Sequence, residues 1–295
     1  MPLRFRFEEE QTCGLWLTYG LEKVLNQERT PYQELAVVQT EALGCALILD
    51  GAVQTTEKDE FFYHEMMTHV PMFAHPCPRR ILVIGGGDGG VVREVLKHPE
   101  VERVDLVEID ARVVENARTF LPSMAAHLDD PRVHLIIQDG VDFVKAYARD
   151  RAGAYDVAII DSTDPIGPAA GLFRPEFYAG LAATLGPDGL FTCQVDSPVF
   201  CPEVVVRACL TVRDSFPIVR PYVAPVPTFP AGWWGYVAAS HGPDPGCPVG
   251  VKRFPGMDTK YYTPDTHRAA FALPRYLEQM LGAAGLTVRA QNGGD

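Results

Sequence analysis

The sequence predicts an α/β protein built on a Rossmann-like, doubly wound, mostly parallel sheet, preceded by a small N-terminal β unit. Three observations carry this expectation. From residue 80 onward, short apolar runs alternate with amphipathic segments, the pattern of strands joined by crossover helices. The first of these runs passes directly into a glycine-rich turn, Gly85-Gly86-Gly87-Asp88-Gly89-Gly90, which opens a helix. The first fifty-odd residues read instead as strands and turns. The expected organisation is a small β-strand domain over 1–57 and a catalytic domain over 58–295.

In chain order, strands are expected at 14–21, 33–39 and 45–49, the last running into the turn Asp50-Gly51. A helix over 56–70 follows, with Thr56 as its cap, acidic residues in its first turn and Pro71 ending it. Strands at 81–84, 104–109, 133–137, 155–160, 190–194 and 218–223 then alternate with helices over 90–97, 111–120, 141–148, 175–185 and 203–216. In such sheets ligands sit at the carboxyl ends of the strands, so the residues that follow each strand carry the functional argument.

Composition narrows the classes. Across 295 residues, 47% hydrophobic and 22% charged content is ordinary for a globular chain. No apolar run approaches the roughly 20 residues of a membrane span, and the opening residues lack the apolar core of a secretory signal. Seven scattered cysteines without a Cys-x-x-Cys pair suit reduced thiols in a cytoplasm. The eight histidines show no ligand-like spacing, so no metal is expected. With 26 basic against 38 acidic residues the net charge is −12, which argues against a nucleic-acid partner. An acidic field steers cationic small molecules, provided its carboxylates converge on a cleft.

They do fall at strand ends. The glycine loop follows a strand, opens a helix and is followed by Glu108 at the end of the next strand, where a carboxylate accepts from ribose hydroxyls. Asp88 inside the loop departs from a dinucleotide fingerprint: it repels phosphate and carboxylate and attracts an ammonium group, although it also fits a helix cap. After the third strand, Asp139-Gly140 offers an acceptor for an adenine amino group, or equally a helix cap. After the fourth, Asp161 and Asp164 lie three apart on a proline-stiffened turn, 161–168. Such clustering raises the pKa of one member unless a cation fills the gap. Tyr63 and His64 stand on the helix leading into the sheet and carry no weight by themselves.

Together these pieces resemble the polyamine aminopropyltransferases, the spermidine synthases most closely. The matching text includes Tyr32-Gln33, Leu49-Asp50-Gly51, Asp59-Glu60-Phe61-Phe62-Tyr63-His64-Glu65, the glycine loop, Val107-Glu108-Ile109-Asp110 and Gln138-Asp139-Gly140. It continues through 161–168 and Lys260-Tyr261-Tyr262. The resemblance implies a methyltransferase-type sheet, no tightly bound cofactor, decarboxylated S-adenosylmethionine as cosubstrate, a small cationic diamine as acceptor, and a homodimer or homotetramer. It also implies that Gln33, Glu108, Asp139 and Gly140 hold the adenosine part, with Pro168 beside the adenine. His64, Asp88, Asp164, Gln194 and the position of Phe229 would contact the aminopropyl and amine chains. Asp161 would be the general base and Tyr63 a helper at the attacking nitrogen.

The chain departs from the family's text in two places. Pro227-Thr228-Phe229-Pro230-Ala231-Gly232 carries Phe229 where a tyrosine is common, and Asp196 stands where glutamate is frequent. Trp233 and Trp234 offer aromatic faces to cations, or serve the core, and Trp16 is a candidate cover for the pocket. Putrescine is the expected acceptor, with agmatine, cadaverine and spermidine as alternatives. An S-adenosylmethionine-dependent methyltransferase on the same fold and a non-catalytic polyamine sensor are the competing classes.

Overall fold

Two sheets, one antiparallel and one mostly parallel, share the chain; the structure is a computed structural model and describes residues 5–163 and 167–286. The first sheet is a meander of β1 (Phe5–Thr12), β2 (Leu15–Arg29), β3 (Glu34–Thr40), β4 (Gly44–Leu49) and β5 (Ala52–Thr56). Asp50 and Gly51 both have positive φ and join β4 to β5 as a two-residue turn, the hairpin that an Asp-Gly pair favours. The sequence reading missed β1 and β5 and saw only half of β2. β1 carries three consecutive glutamates, and most of β2 faces outward, so neither shows clean alternation.

The next helix, α1 (Glu60–Ala74), starts later and ends later than expected. The Thr56 hydroxyl donates to Asp59 rather than capping the helix. Pro71 lies inside α1, because the cost of one missing ladder bond is outweighed by the burial of Val70, Met72 and Phe73 around it.

The second sheet comprises β6 (Arg80–Gly85), β7 (Arg103–Glu108), β8 (Val133–Ile137), β9 (Tyr155–Asp161), β10 (Leu185–Gln194), β11 (Ile218–Pro225) and β12 (Trp233–Ser240). The spatial order is β11-β12-β10-β9-β6-β7-β8, with β12 antiparallel to both neighbours and β10, β9, β6, β7 and β8 paired in parallel. The sequence reading missed β12, whose Trp-Trp-Gly-Tyr start hides its strand character. Helices α2 (Gly90–Val95), α3 (Ala111–Phe120), α4 (Pro122–Ala125), α5 (Gly140–Asp150), α6 (Pro175–Thr184) and α7 (Pro202–Arg213) intervene, and α8 (Pro264–Ala270) and α9 (Arg275–Ala283) follow.

Each face of this sheet carries its own core. Met66, Val70 and Phe73 of α1 pack with Val91 and Val95 of α2 on one side, and Phe143, Phe177, Leu181 and Val205 cover the other. From β6 the chain runs outward through β7 and β8, then returns to lay β9 on the opposite side of β6. The strand order therefore reverses between β6 and β9, where Gly85 stands opposite Asp161 in register. Open α/β sheets bind ligands at that switch point. Among the described residues, no helix is long and apolar enough to cross a membrane.

Candidate active site

A cavity of about 300 Å³ opens at the switch point. Its floor comes from the ends of β6, β7 and β9 and the segment after β8, and its walls from α1, from 229–234 and from the N-terminal sheet. It gathers Gln33, Tyr63, His64, Asp88, Glu108, Asp139, Gly140, Asp161, Gln194 and Phe229. Asp164 lies outside the described residues, as does the side chain of Pro168. Glu9, Glu10 and Gln11 of β1 also line it, and sequence reasoning missed them because their strand was not recognised.

The glycine loop packs against the end of β9. A Cβ on Gly86 would stand 2.7 Å from Asp161 Oδ2, and one on Gly85 would collide with the Asp161 carbonyl. Both glycines have positive φ, so an alanine would be strained as well as crowded. The loop thus brings Asp88 and Asp161 into one corner.

At that corner, Asp161 Oδ1 accepts a 2.7 Å hydrogen bond from the Tyr63 hydroxyl, while its buried Oδ2 has no partner among the described residues. Burial, then the Asp88 charge, push the Asp161 carboxyl up to about 6. The sequence expectation is that clustering of Asp161 and Asp164 in the same cleft as Asp88 raises one member; among the described residues the raised member is Asp161 and the neighbouring charge is Asp88. Burial and Asp161 raise the Tyr63 phenol well above its ordinary value, so Tyr63 is a donor here. Asp88 Oδ1 accepts from Gly90 N at 2.7 Å, and its Oδ2 lies 3.6 Å from His64 Nε2. Asp88 thus braces the turn into α2 through Gly90 N, although the helix cap itself is Gly89, and it lines the cavity. Burial opposes its charge, but His64 and the Gly90 N–H outweigh that and hold it below the usual carboxylate range. Ligating atoms of His64, Asp88 and Asp161 lie within 4.8 Å of one another, close enough to surround one cationic group.

At the opposite end, Glu108 accepts from Gly87 N at 3.1 Å and from Asp110 N at 2.9 Å. Burial nonetheless pushes it up to about 7, against those two hydrogen bonds. Asp139 caps α5 by accepting from Val141 N, and Gly140 packs so tightly against Ile84 that a Cβ would collide with it. Gln33 donates to Asp110, itself the cap of α3, which ties the N-terminal sheet to this wall.

Along the third wall, Gln194 donates to the Ser162 carbonyl and accepts from Trp234 Nε1, so its amide is fixed in one orientation. The Phe229 ring packs against Tyr63 and Trp234, with centroids 5.7 and 4.8 Å away. Trp234 thus lines the cavity, whereas Trp233 packs into the core on the other face. Trp16 does not cover the pocket: it is 55% exposed and absent from the lining.

A mostly parallel sheet with a cavity at its switch point and two carboxylates converging in one corner is the setting of a small-molecule transferase. Residues 60–245 match the spermine/spermidine synthase domain and 6–57 the spermidine synthase tetramerisation domain. The polyamine aminopropyltransferase of Moorella thermoacetica is 52% identical over 277 residues, 94% of this chain and 96% of that one. The polyamine aminopropyltransferase of Bacillus subtilis is 46% identical over 275 residues, 93% and 98% of the two chains. Among solved structures, a spermidine synthase in complex with the transition state analogue AdoDATO superposes with a TM-score of 0.90 at 38% identity, covering 95% of both chains. The spermidine synthase from Thermotoga maritima gives the same TM-score and identity over 96% of both. The chain belongs to the spermine/spermidine synthase family and is a polyamine aminopropyltransferase. That membership sets the methyltransferase reading aside.

Proposed function

We propose that the protein transfers the aminopropyl group of decarboxylated S-adenosylmethionine to putrescine, giving spermidine and 5′-methylthioadenosine. The observation that carries this reading is the pairing of Asp88 with an Asp161 whose Oδ2 is buried and unpartnered, in a corner suited to a cation rather than to a carboxylate. An ammonium-tailed donor satisfies Asp88 there; ordinary S-adenosylmethionine would set its carboxylate against it. In support, a solved relative is described with the transition state analogue AdoDATO.

In this reading Glu108 accepts from the ribose hydroxyls, and Gln33, Asp139, Gly140 and Pro168 enclose the remainder of the nucleoside. His64 lies beside the aminopropyl arm. The acceptor's methylene chain runs along Phe229 and Trp234, with Gln194 at a polar end; Asp164, outside the described residues, is the amine-binding partner that the family resemblance implies. The sulfonium already activates the adjacent carbon, so in-line placement of the amine is the main task. Asp161 Oδ2 takes the proton of the attacking ammonium. The amine nitrogen then bonds to carbon as the carbon–sulfur bond breaks, and the thioether leaves with the electron pair. Tyr63 stays protonated and orients Asp161 through its 2.7 Å hydrogen bond.

Residues 1–57 are proposed to form the self-association unit of a homodimer or homotetramer, since exposed Phe5, Leu15, Trp16 and Val24 lie on β1 and β2. The seven free thiols suit a cytoplasmic setting. Purified protein incubated with decarboxylated S-adenosylmethionine and, separately, putrescine, agmatine, cadaverine and spermidine tests the reading by product mass. Spermidine from putrescine is the expected main product. Turnover of another amine alone would replace the acceptor, and stabilisation by ordinary S-adenosylmethionine alone would remove the donor.

A further inference from the structure

His64 is wedged between two carboxylates. Its Nδ1 lies 2.6 Å from Glu60 Oε2, its Nε2 lies 3.6 Å from Asp88 Oδ2, and the residue is only 2% exposed. A neutral imidazole has a single N–H, so it would present a lone pair to one of these oxygens; only the imidazolium offers a proton to both. The ring packs directly on Gly90, where a Cβ would collide with three of its atoms. The groups facing it are Glu60 and Tyr63 from α1, Asp88 from the loop and Asp161 from β9. Glu60 does not line the cavity. Its position is set from behind by Arg93, whose Nη2 donates to it at 2.7 Å and whose Nε donates to Glu94 at 2.9 Å.

We infer that Glu60 is a positioning residue for donor recognition: by neutralising a resident His64 imidazolium, it leaves Asp88 free to attract the donor's ammonium. The inference rests on the donor proposed above. Glu60, His64 and Asp88 together carry one net negative charge. Without Glu60 a protonated His64 would cancel Asp88, and Asp161 alone would be left to attract the arriving cation. Two carboxylates also hold the imidazolium far more firmly than one, so the corner keeps its charge across neutral pH. Removal of Glu60 brings the His64 ionisation down toward its ordinary range. Below that ionisation the imidazolium cancels Asp88 and donor binding weakens; above it the neutral imidazole leaves Asp88 exposed again and binding recovers.

The test joins a spectroscopic and a binding measurement on the full chain. In nitrogen-15 spectra of the wild-type protein at pH 8, both His64 ring nitrogens are expected to be protonated; one unprotonated nitrogen overturns the inference whatever happens to any variant. Calorimetric Kd values for decarboxylated S-adenosylmethionine are then compared between wild type and Glu60→Gln from pH 8.5 to 6. The ratio of variant to wild-type Kd is expected to rise roughly tenfold as pH falls, and a flat ratio overturns it. Adding Glu60→Gln to a His64→Gln background should produce no such rise, since the titrating ring is gone; a rise there would assign the effect to another group. If wild type fails to bind the decarboxylated donor, the proposed function fails separately, while the ring-nitrogen measurement still reads the His64 charge.

Discussion

The two ends of the cavity handle carboxylates in opposite ways. Around the proposed nucleoside end, each acid is already occupied by neutral donors: Glu108 by two backbone N–H groups, Asp139 by one, and Asp110 by Thr30, Gln33 and Arg112 N. At the reactive corner, Asp161 has one hydroxyl partner and an oxygen with none, and Asp88 shares its charge with His64. Neutral donors orient a carboxylate and leave its remaining lone pairs aimed at ligand hydroxyls. An incompletely matched carboxylate stores electrostatic cost that an incoming cation relieves. In the proposed reading, the difference means that one end fixes geometry and the other selects charge and moves a proton.

Breaking the reactive corner should have the largest effect. Asp161→Asn removes the proton acceptor while keeping an oxygen for the Tyr63 hydroxyl, so kcat should fall roughly 10²–10⁴-fold with donor Kd nearly unchanged. Asp161 must be a carboxylate to work, and burial raises it to about 6. With donor and acceptor saturating, wild-type kcat should therefore be on its plateau above that pH and fall as pH drops through it. The residual rate of the variant should lack that limb, measured by steady-state assay between pH 5 and 9. An acid limb that persists unchanged in Asp161→Asn moves the proton acceptor elsewhere, Glu108 being the next group of raised pKa.

Much of this contrast was legible in the sequence, and the missing parts have physical reasons. The parallel strands β6 to β9 are short and apolar, all but the edge strand β8 are largely buried, and the reading placed each within a residue or so at either end. Because ligands meet such sheets at strand ends, Asp88, Glu108, Asp139 and Asp161 followed from position alone. Spacing along the chain could not show that Asp88, 73 residues before Asp161 (161 − 88 = 73), is the neighbour that raises it; that needs the β6–β9 crossing. Nor could it show Glu60, an ordinary first-turn acid in sequence, reaching His64 one helical turn later. Glu9 and Glu10 were hidden because a run of glutamates masks a strand whose alternate side chains enter a cavity.

A neutral nucleoside sharpens the comparison from the other end. The proposed product 5′-methylthioadenosine carries no ammonium and should read only the hydroxyl-binding acids. Burial places Glu108 at about 7, and its ionised form is the better acceptor for ribose hydroxyls. The Kd of this nucleoside should weaken about tenfold from pH 8 to pH 6 by calorimetry, as Glu108 takes up a proton. Asp88→Asn should leave that Kd within about twofold, while weakening the cationic donor roughly tenfold or more. Equal losses for both ligands in Asp88→Asn would mean that Asp88 shapes the loop rather than selecting charge.

The smallest expected effect concerns stability of the unliganded protein, and it has the opposite sign to the loss of activity. The folded protein holds Asp161 above its ordinary carboxylate value, so the ionised form is the disfavoured one. The penalty is absent below the unfolded value near 4, grows as pH rises through the window to about 6, and is complete above it. Asparagine cannot ionise and still offers a carbonyl oxygen to Tyr63. Asp161→Asn should therefore melt roughly 2–5 °C higher than wild type at pH 8, and the gain should shrink toward zero as pH falls to 4. Thermal denaturation across that range reads the sign directly. A variant that melts lower at every pH would show that the Asp161 charge contributes to the fold, and the buried acid of raised pKa would then be Glu108 at the other end alone.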